Sequence, residues 1–133
     1  MDFSPFAFSS DLHEILRLEG FSEPTPVQRE AIAPAIDGRD ILASAQTGSG
    51  KTAAFVLPIL HRLTGGSSGR GAPRPQPRRP RALILAPTRE LAVQIAQVVS
   101  TFSATSRVSH VVIFGGVNRR PQIASLRRGV DIA

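Results

Sequence analysis

The stretch ILASAQTGSGKTAAF, residues 41–55, joins a short apolar run to two glycines, the chain's only lysine and an alanine-bearing tail. The run 41–45 reads as a buried strand, and the tail from Lys51 as a helix. A strand, a glycine-bearing turn and a helix opening on Lys-Thr form a phosphate cradle: turn amides point inward, and the helix N-terminus adds partial positive charge. Gly48 and Gly50 permit backbone angles and a close approach that a Cβ would block. Lys51 then reaches the β and γ phosphates, and the Thr52 hydroxyl can ligate Mg²⁺. Ala45 stands where the strict phosphate-loop pattern has glycine, so the match is to a variant form. A plain glycine-rich turn capping a helix is the competing account, and a strand before with Gly-Lys-Thr after disfavours it.

Outward from this stretch, apolar runs alternate with amphipathic segments. Strands are expected at 41–45, 83–86, 108–114 and from 130 to the end, and helices at 12–19, 26–36, 51–63, 89–102 and 118–128. Strand followed by helix, repeated, predicts an α/β fold: a parallel sheet with helices on both faces. At 133 residues the chain has the size of one domain. Residues 64–81, rich in Gly, Ser, Pro and Arg, are expected to be a flexible surface connection. An alternative gives Arg70, Arg74, Arg78, Arg79 and Arg81 a share in nonspecific nucleic-acid affinity. The closing VDIA reads as a strand just begun, so the chain is expected to stop inside its sheet. Pro58 is expected to kink or locally unbond the helix it sits in.

Charge is unevenly placed. Residues 1–40 carry net −5, and 41–133 carry net +11 with Glu90 and Asp131 as their only acids. That asymmetry points to a polyanionic partner. Fifteen of the sixteen basic residues are arginine, so Lys51 stands out as a compact ammonium on a flexible stem. The four arginines of NRRPQIASLRRG, 118–129, read more simply as a solvated face than as a phosphate-binding one. Cysteine is absent, which excludes a disulfide framework and a thiolate metal site; a reducing compartment, the cytoplasm, is expected. No apolar run approaches the roughly 20 residues of a membrane span. His13, His61 and His110 lie among unlike neighbours without metal-ligand spacing and receive no chemistry.

Two further motifs carry information. In TPVQ, 25–28, Thr25 reads as an N-cap, Pro26 as the first helical residue and Gln28 as the reciprocal partner of a capping box. In PTRELA, 87–92, Thr88 is a natural N-cap, but Arg89 places a cation at the positive end of a helix dipole, which costs a few tenths to about 1 kcal/mol. A nearby anion would remove the conflict. The Gly115-Gly116 doublet reads equally well as a simple turn after a strand.

Together, GFSEPTPVQ at 20–28, AQTGSGKT at 45–52, PTRELA and the glycine doublet resemble, in order and spacing, the first RecA-like domain of DEAD-box RNA helicases. The likeness spans essentially the whole chain, with a Gln-motif region at 1–39 and a P-loop core at 40–133. It implies a truncated RecA-like P-loop NTPase domain that binds ATP with Mg²⁺. In this reading Phe21 stacks on adenine, Gln28 reads it, and Phe3 braces the segment. Ala45, Gln46, Thr47, Gly48, Ser49, Gly50, Lys51 and Thr52 surround the phosphates, with Thr52 at the metal. Pro87, Thr88, Arg89, Gly115 and Gly116 would contact an RNA backbone, and a second RecA-like domain would be a partner. Hydrolysis in such enzymes needs a carboxylate pair and arginines from that second domain. These 133 residues hold no Asp-Glu pair, so nucleotide binding rather than hydrolysis is expected of them. Two other readings stay open: a nonenzymatic basic nucleic-acid-binding module, and a different phosphate-loop ATPase whose glutamine is only a cap.

Overall fold

The computed structural model describes residues 2–66 and 75–133. Arg70 and Arg74 of the expected basic connection lie outside the described residues. The described residues form five helices: α1 Ser10–Leu18, α2 Pro26–Ile36, α3 Lys51–Leu63, α4 Arg89–Phe102 and α5 Arg119–Arg128. Their starts follow the capping side chains. Ser9 accepts from the Leu12 amide and opens α1 two residues earlier than expected. Asn118, expected inside the last helix, caps it by accepting from the Arg120 amide.

Three of the four expected strands meet. Ile132 forms parallel bridges to both Ala82 and His110, so residues 130–133 lie between the other two segments. The Ala82 amide donates to the Asp131 carbonyl at 2.9 Å and the Ile84 amide to Ala133 at 2.9 Å. On the other side, the Val111 amide donates to Ile132 at 3.0 Å. The chain crosses from the first edge to the far edge through α4 and returns to the middle through α5. Two right-handed crossovers in opposite directions put α4 and α5 on opposite faces. Accordingly α4 packs on α3 and α1, whereas α5 packs on no other helix among the described residues.

Segment 41–45 departs from expectation: it forms no bridge among the described residues, and Leu42 is fully exposed. A strand persists only where a neighbour pairs its backbone groups, and none of the three paired segments lies beside it. Residues 85–86 and 112–114 likewise run past the last rung at Ala133. Between them, and between α4 and α5, is a cavity of about 970 Å³ lined by Leu83, Leu85, Ile95, Val112, Ile123 and Leu126.

The core is built on α3, whose Val56, Leu57 and Leu60 are almost wholly buried beside Leu16, Ile32 and Val99. Pro58 does not interrupt α3, which runs unbroken through it. Burial against neighbouring helices holds the turn whose hydrogen bond proline removes. A buried ion pair ties α3 to the sheet. Arg81 Nε donates to Asp131 Oδ1 at 2.8 Å, and Arg81 Nη1 donates to the Leu63 carbonyl at the end of α3. Asp131 Oδ2 accepts from the Ser109 amide at 2.9 Å. The expected flexible connection therefore does not include its last residues. Residues 75–81 are anchored by this pair and by the Arg78 amide, which donates to Leu126 at 2.8 Å.

His61, on α3, is buried against the Phe8 ring, with Nδ1 lacking a partner. Burial disfavours its charged form and lowers its pKa below the usual 6.5. The unfolded chain then takes up this proton first as pH falls, so the contribution is fully present above about 6.5 and is lost below it. A urea-midpoint series between about pH 7 and pH 5 should fall with acidification, and less steeply in His61→Phe. Identical slopes in both proteins would exclude His61 as the source.

Candidate functional site

Residues 46–50 turn tightly before α3, with the Ser49 amide donating to the Gln46 carbonyl. Gly50 is the N-cap of α3 at φ 86°, in the left-handed region that glycine enters without strain. The first residues of α3 offer amides without intrahelical partners. Lys51 folds back over the loop, its Nζ donating to the carbonyls of Ala45 and Gln46. Two hydroxyls nearby, Ser49 Oγ and Thr25 Oγ1, are buried without partners. An ammonium resting on its own loop, orphaned hydroxyls and a helix N-terminus form a donor set suited to phosphate oxygens. Thr52 lies half-buried in the first turn of α3.

Gln28 fills the space under this loop. Its Oε1 accepts from the Thr25 amide at 2.9 Å, the expected half of a capping box. The reciprocal half is loose, since Thr25 Oγ1 meets no donor in hydrogen-bond geometry. Its Nε2 donates to the Gly50 carbonyl at 3.1 Å, a link across 22 residues that the sequence did not announce. Only 1% of Gln28 is exposed. One N–H and one lone pair of its amide remain for another partner. Phe21 is half-buried, with ring centroids 5.2 Å from Phe102 and 6.2 Å from Phe3. Phe3 is buried in the core and does brace Phe21.

A second cluster forms where α4 begins. Thr88 caps it, accepting from the Leu91 amide at 3.2 Å. The Arg89 guanidinium lies over the Phe114 ring, 5.5 Å from its centroid, so the cation at the helix N-terminus is met by a ring face. It also rests against Gly116, where an added Cβ would sit 2.5 Å from Nη2. The structure thus brings 87–89 and 115–116 together, with Pro87, Thr88, Arg89 and both glycines exposed. Gln122 holds this arrangement by pairing its amide with both the N–H and the carbonyl of Phe114. Sequence reasoning passed over Gln122, because a glutamine on an arginine-rich helix carries no local signal of a backbone partner.

Known proteins resemble this chain in sequence and fold. The family model of the DEAD/DEAH box helicase matches residues 25–133, most of the chain. The chain belongs to that family. An ATP-dependent RNA helicase DeaD of Klebsiella pneumoniae is 42% identical over 131 residues, which are 98% of this chain and 19% of that protein. A probable ATP-dependent RNA helicase ddx27 of Dictyostelium discoideum is 43% identical over 130 residues, covering 98% of this chain and 16% of that protein. Among solved structures, a DEAD box protein from Methanococcus jannaschii matches at TM-score 0.83 and 30% identity, covering 99% of this chain and 33% of that one. This DEAD/DEAH box chain thus spans under a fifth of the length of those two relatives. It has the expected α/β, RecA-like fold, present in part. Among its described residues no helix is long and apolar enough to cross a membrane.

Proposed function

We propose that this chain is the ATP-binding and RNA-backbone-binding portion of an RNA helicase that couples ATP binding and hydrolysis to local duplex unwinding. The observation that carries the reading is the convergence of Lys51, the partnerless Ser49 and Thr25 hydroxyls and Gln28 on one glycine-bearing turn. ATP with Mg²⁺ would supply a phosphoryl group activated for transfer. Residues 45–52 hold its phosphates, Thr52 the metal, Gln28 the adenine edge and Phe21 its face. Pro87, Thr88, Arg89 and the amides of Gly115 and Gly116 grip an RNA backbone, which makes binding salt-dependent and weakly sequence-selective. A second RecA-like domain of the complete protein closes on this one, in the cytoplasm.

Titration with fluorescent ADP and GDP tests the nucleotide half. ADP should bind more tightly, and Lys51→Ala should weaken both nucleotides. Gln28→Ala also removes a bond to Gly50, so it weakens both; the diagnostic readout is the ADP/GDP ratio, which should drop by the equivalent of about 1–3 kcal/mol. Equal wild-type affinities would favour a phosphate-loop ATPase whose glutamine only caps. A folded chain that binds neither nucleotide would overturn the reading. RNA binding that survives Lys51→Ala and ignores nucleotide would then favour the basic-module alternative.

A further inference from the structure

The carboxyl ends of the paired segments lead into 87–89 and 115–116, and their amino ends carry a different surface. There α5 finishes, and residues 75–80 dock against it as a tight turn. Gln76 and Arg79 form an antiparallel bridge, with the Arg79 amide donating to Gln76 at 3.2 Å. The Arg78 amide donates to the Leu126 carbonyl near the end of α5. Gly129, at φ 100°, lets the two elements touch, since an added Cβ would sit 3.0 Å from the Gln76 carbonyl. This docking sets Arg78 and Arg79 beside Arg127 and Arg128, and all four are exposed.

Among the described residues none of the four makes an ion pair. After Asp40 the chain has two acidic side chains: Asp131 is buried against Arg81, and Glu90 lies in the first turn of α4, at the carboxyl ends of the paired segments. Arg127 and Arg128 have an ordinary reason to end a helix, because cations complement its dipole there. That reason does not extend to Arg78. It holds φ 61° at the turn position following Pro77, where glycine would be free of strain. An arginine kept in a glycine's conformation, its amide tied to α5, points to use of the side chain.

We propose that Arg78, Arg79, Arg127 and Arg128 form a second nucleic-acid surface, which takes the phosphate backbone of an RNA that extends beyond the 87–89 and 115–116 cluster. The proposal rests on the RNA reading above but uses different residues, set at the amino ends of the paired segments. It accounts for the uneven charge of the chain as a path rather than a single contact.

The test measures affinity of the 133-residue chain for oligouridylates of roughly six and roughly twenty nucleotides across a salt series. The patch variant combines Arg78→Gly, which relieves the turn, with Arg79→Gln, Arg127→Gln and Arg128→Gln. A companion replaces Arg127 and Arg128 by lysine, and Arg89→Gln reports on the first cluster. The expected result is that the patch variant weakens the long RNA at least about tenfold at low salt, with the salt slope reduced by about 0.7 per lost contact. The short RNA should be unaffected by the patch variant, the lysine companion should bind like the parent, and Arg89→Gln should weaken both lengths. Loss only in Arg89→Gln would overturn the second surface and keep the first. Loss only in the patch variant would keep the second and remove the first. An unchanged long-RNA affinity with lost binding to polyglutamate would overturn the proposal in favour of an acidic protein partner.

Discussion

Arg81→Met lowers the unfolding free energy by close to 5 kcal/mol, and Asp131→Asn by nearer 3 kcal/mol, within the range for breaking a buried pair by removing one member. The asymmetry follows from burial. Asp131 has a side chain 1% exposed, whereas Arg81 is 24% exposed. Without Arg81 the carboxylate keeps only the Ser109 amide and hydroxyl as donors and cannot reach water. Without the carboxylate the guanidinium keeps its bond to Leu63 and a path to solvent. Arg81→Met also detaches the end of α3 from the sheet, and α3 carries the phosphate loop at its other end. Urea denaturation of both variants measures this, with nucleotide affinity as a second readout. Losses below about 1 kcal/mol for both would place the pair with surface salt bridges and remove it as the tie between α3 and the sheet.

Gly50→Ala destabilises the chain by about 2–4 kcal/mol, against about 1–2 kcal/mol for Gly48→Ala. Both residues hold positive φ, 86° and 78°, so each alanine meets the left-handed penalty of about 1–2 kcal/mol. Their surroundings differ. A Cβ at Gly48 meets nothing within 4 Å, whereas one at Gly50 sits 2.4 Å from Gln28 Nε2 and 3.2 Å from Thr25 Oγ1. Gln28 is buried and can only retreat by giving up hydrogen bonds to Gly50 and Thr25, each worth about 1 kcal/mol net. A double-mutant cycle isolates this cost: in a Gln28→Ala background, Gly50→Ala should cost no more than Gly48→Ala. Equal single-mutant losses would show that Gln28 yields freely and does not buttress the loop. Nucleotide affinity should follow the same order.

The sequence by itself determined what local chemistry determines. Helix starts were legible because the Gln28 bond to the Thr25 amide and the caps Thr88 and Asn118 act within three residues of themselves, with Asn118 misplaced by a single position. The phosphate loop was legible because its glycines, lysine and threonine act within one turn of chain. Contacts between distant residues were decided by the tertiary structure alone. The strand at 41–45 has the right composition, yet a strand needs a partner, and sequence periodicity does not say which segments become neighbours. Gln28 was readable as a cap; its grip on Gly50 was not, because 22 residues separate them. The Arg81–Asp131 pair spans 50 residues, and the seat of Arg78 on α5 exists only once both crossovers have brought the amino ends of the strands together. Caps and glycine turns are set by bonds a few residues long, whereas ion pairs, strand order and basic surfaces are set by which segments the crossovers lay side by side.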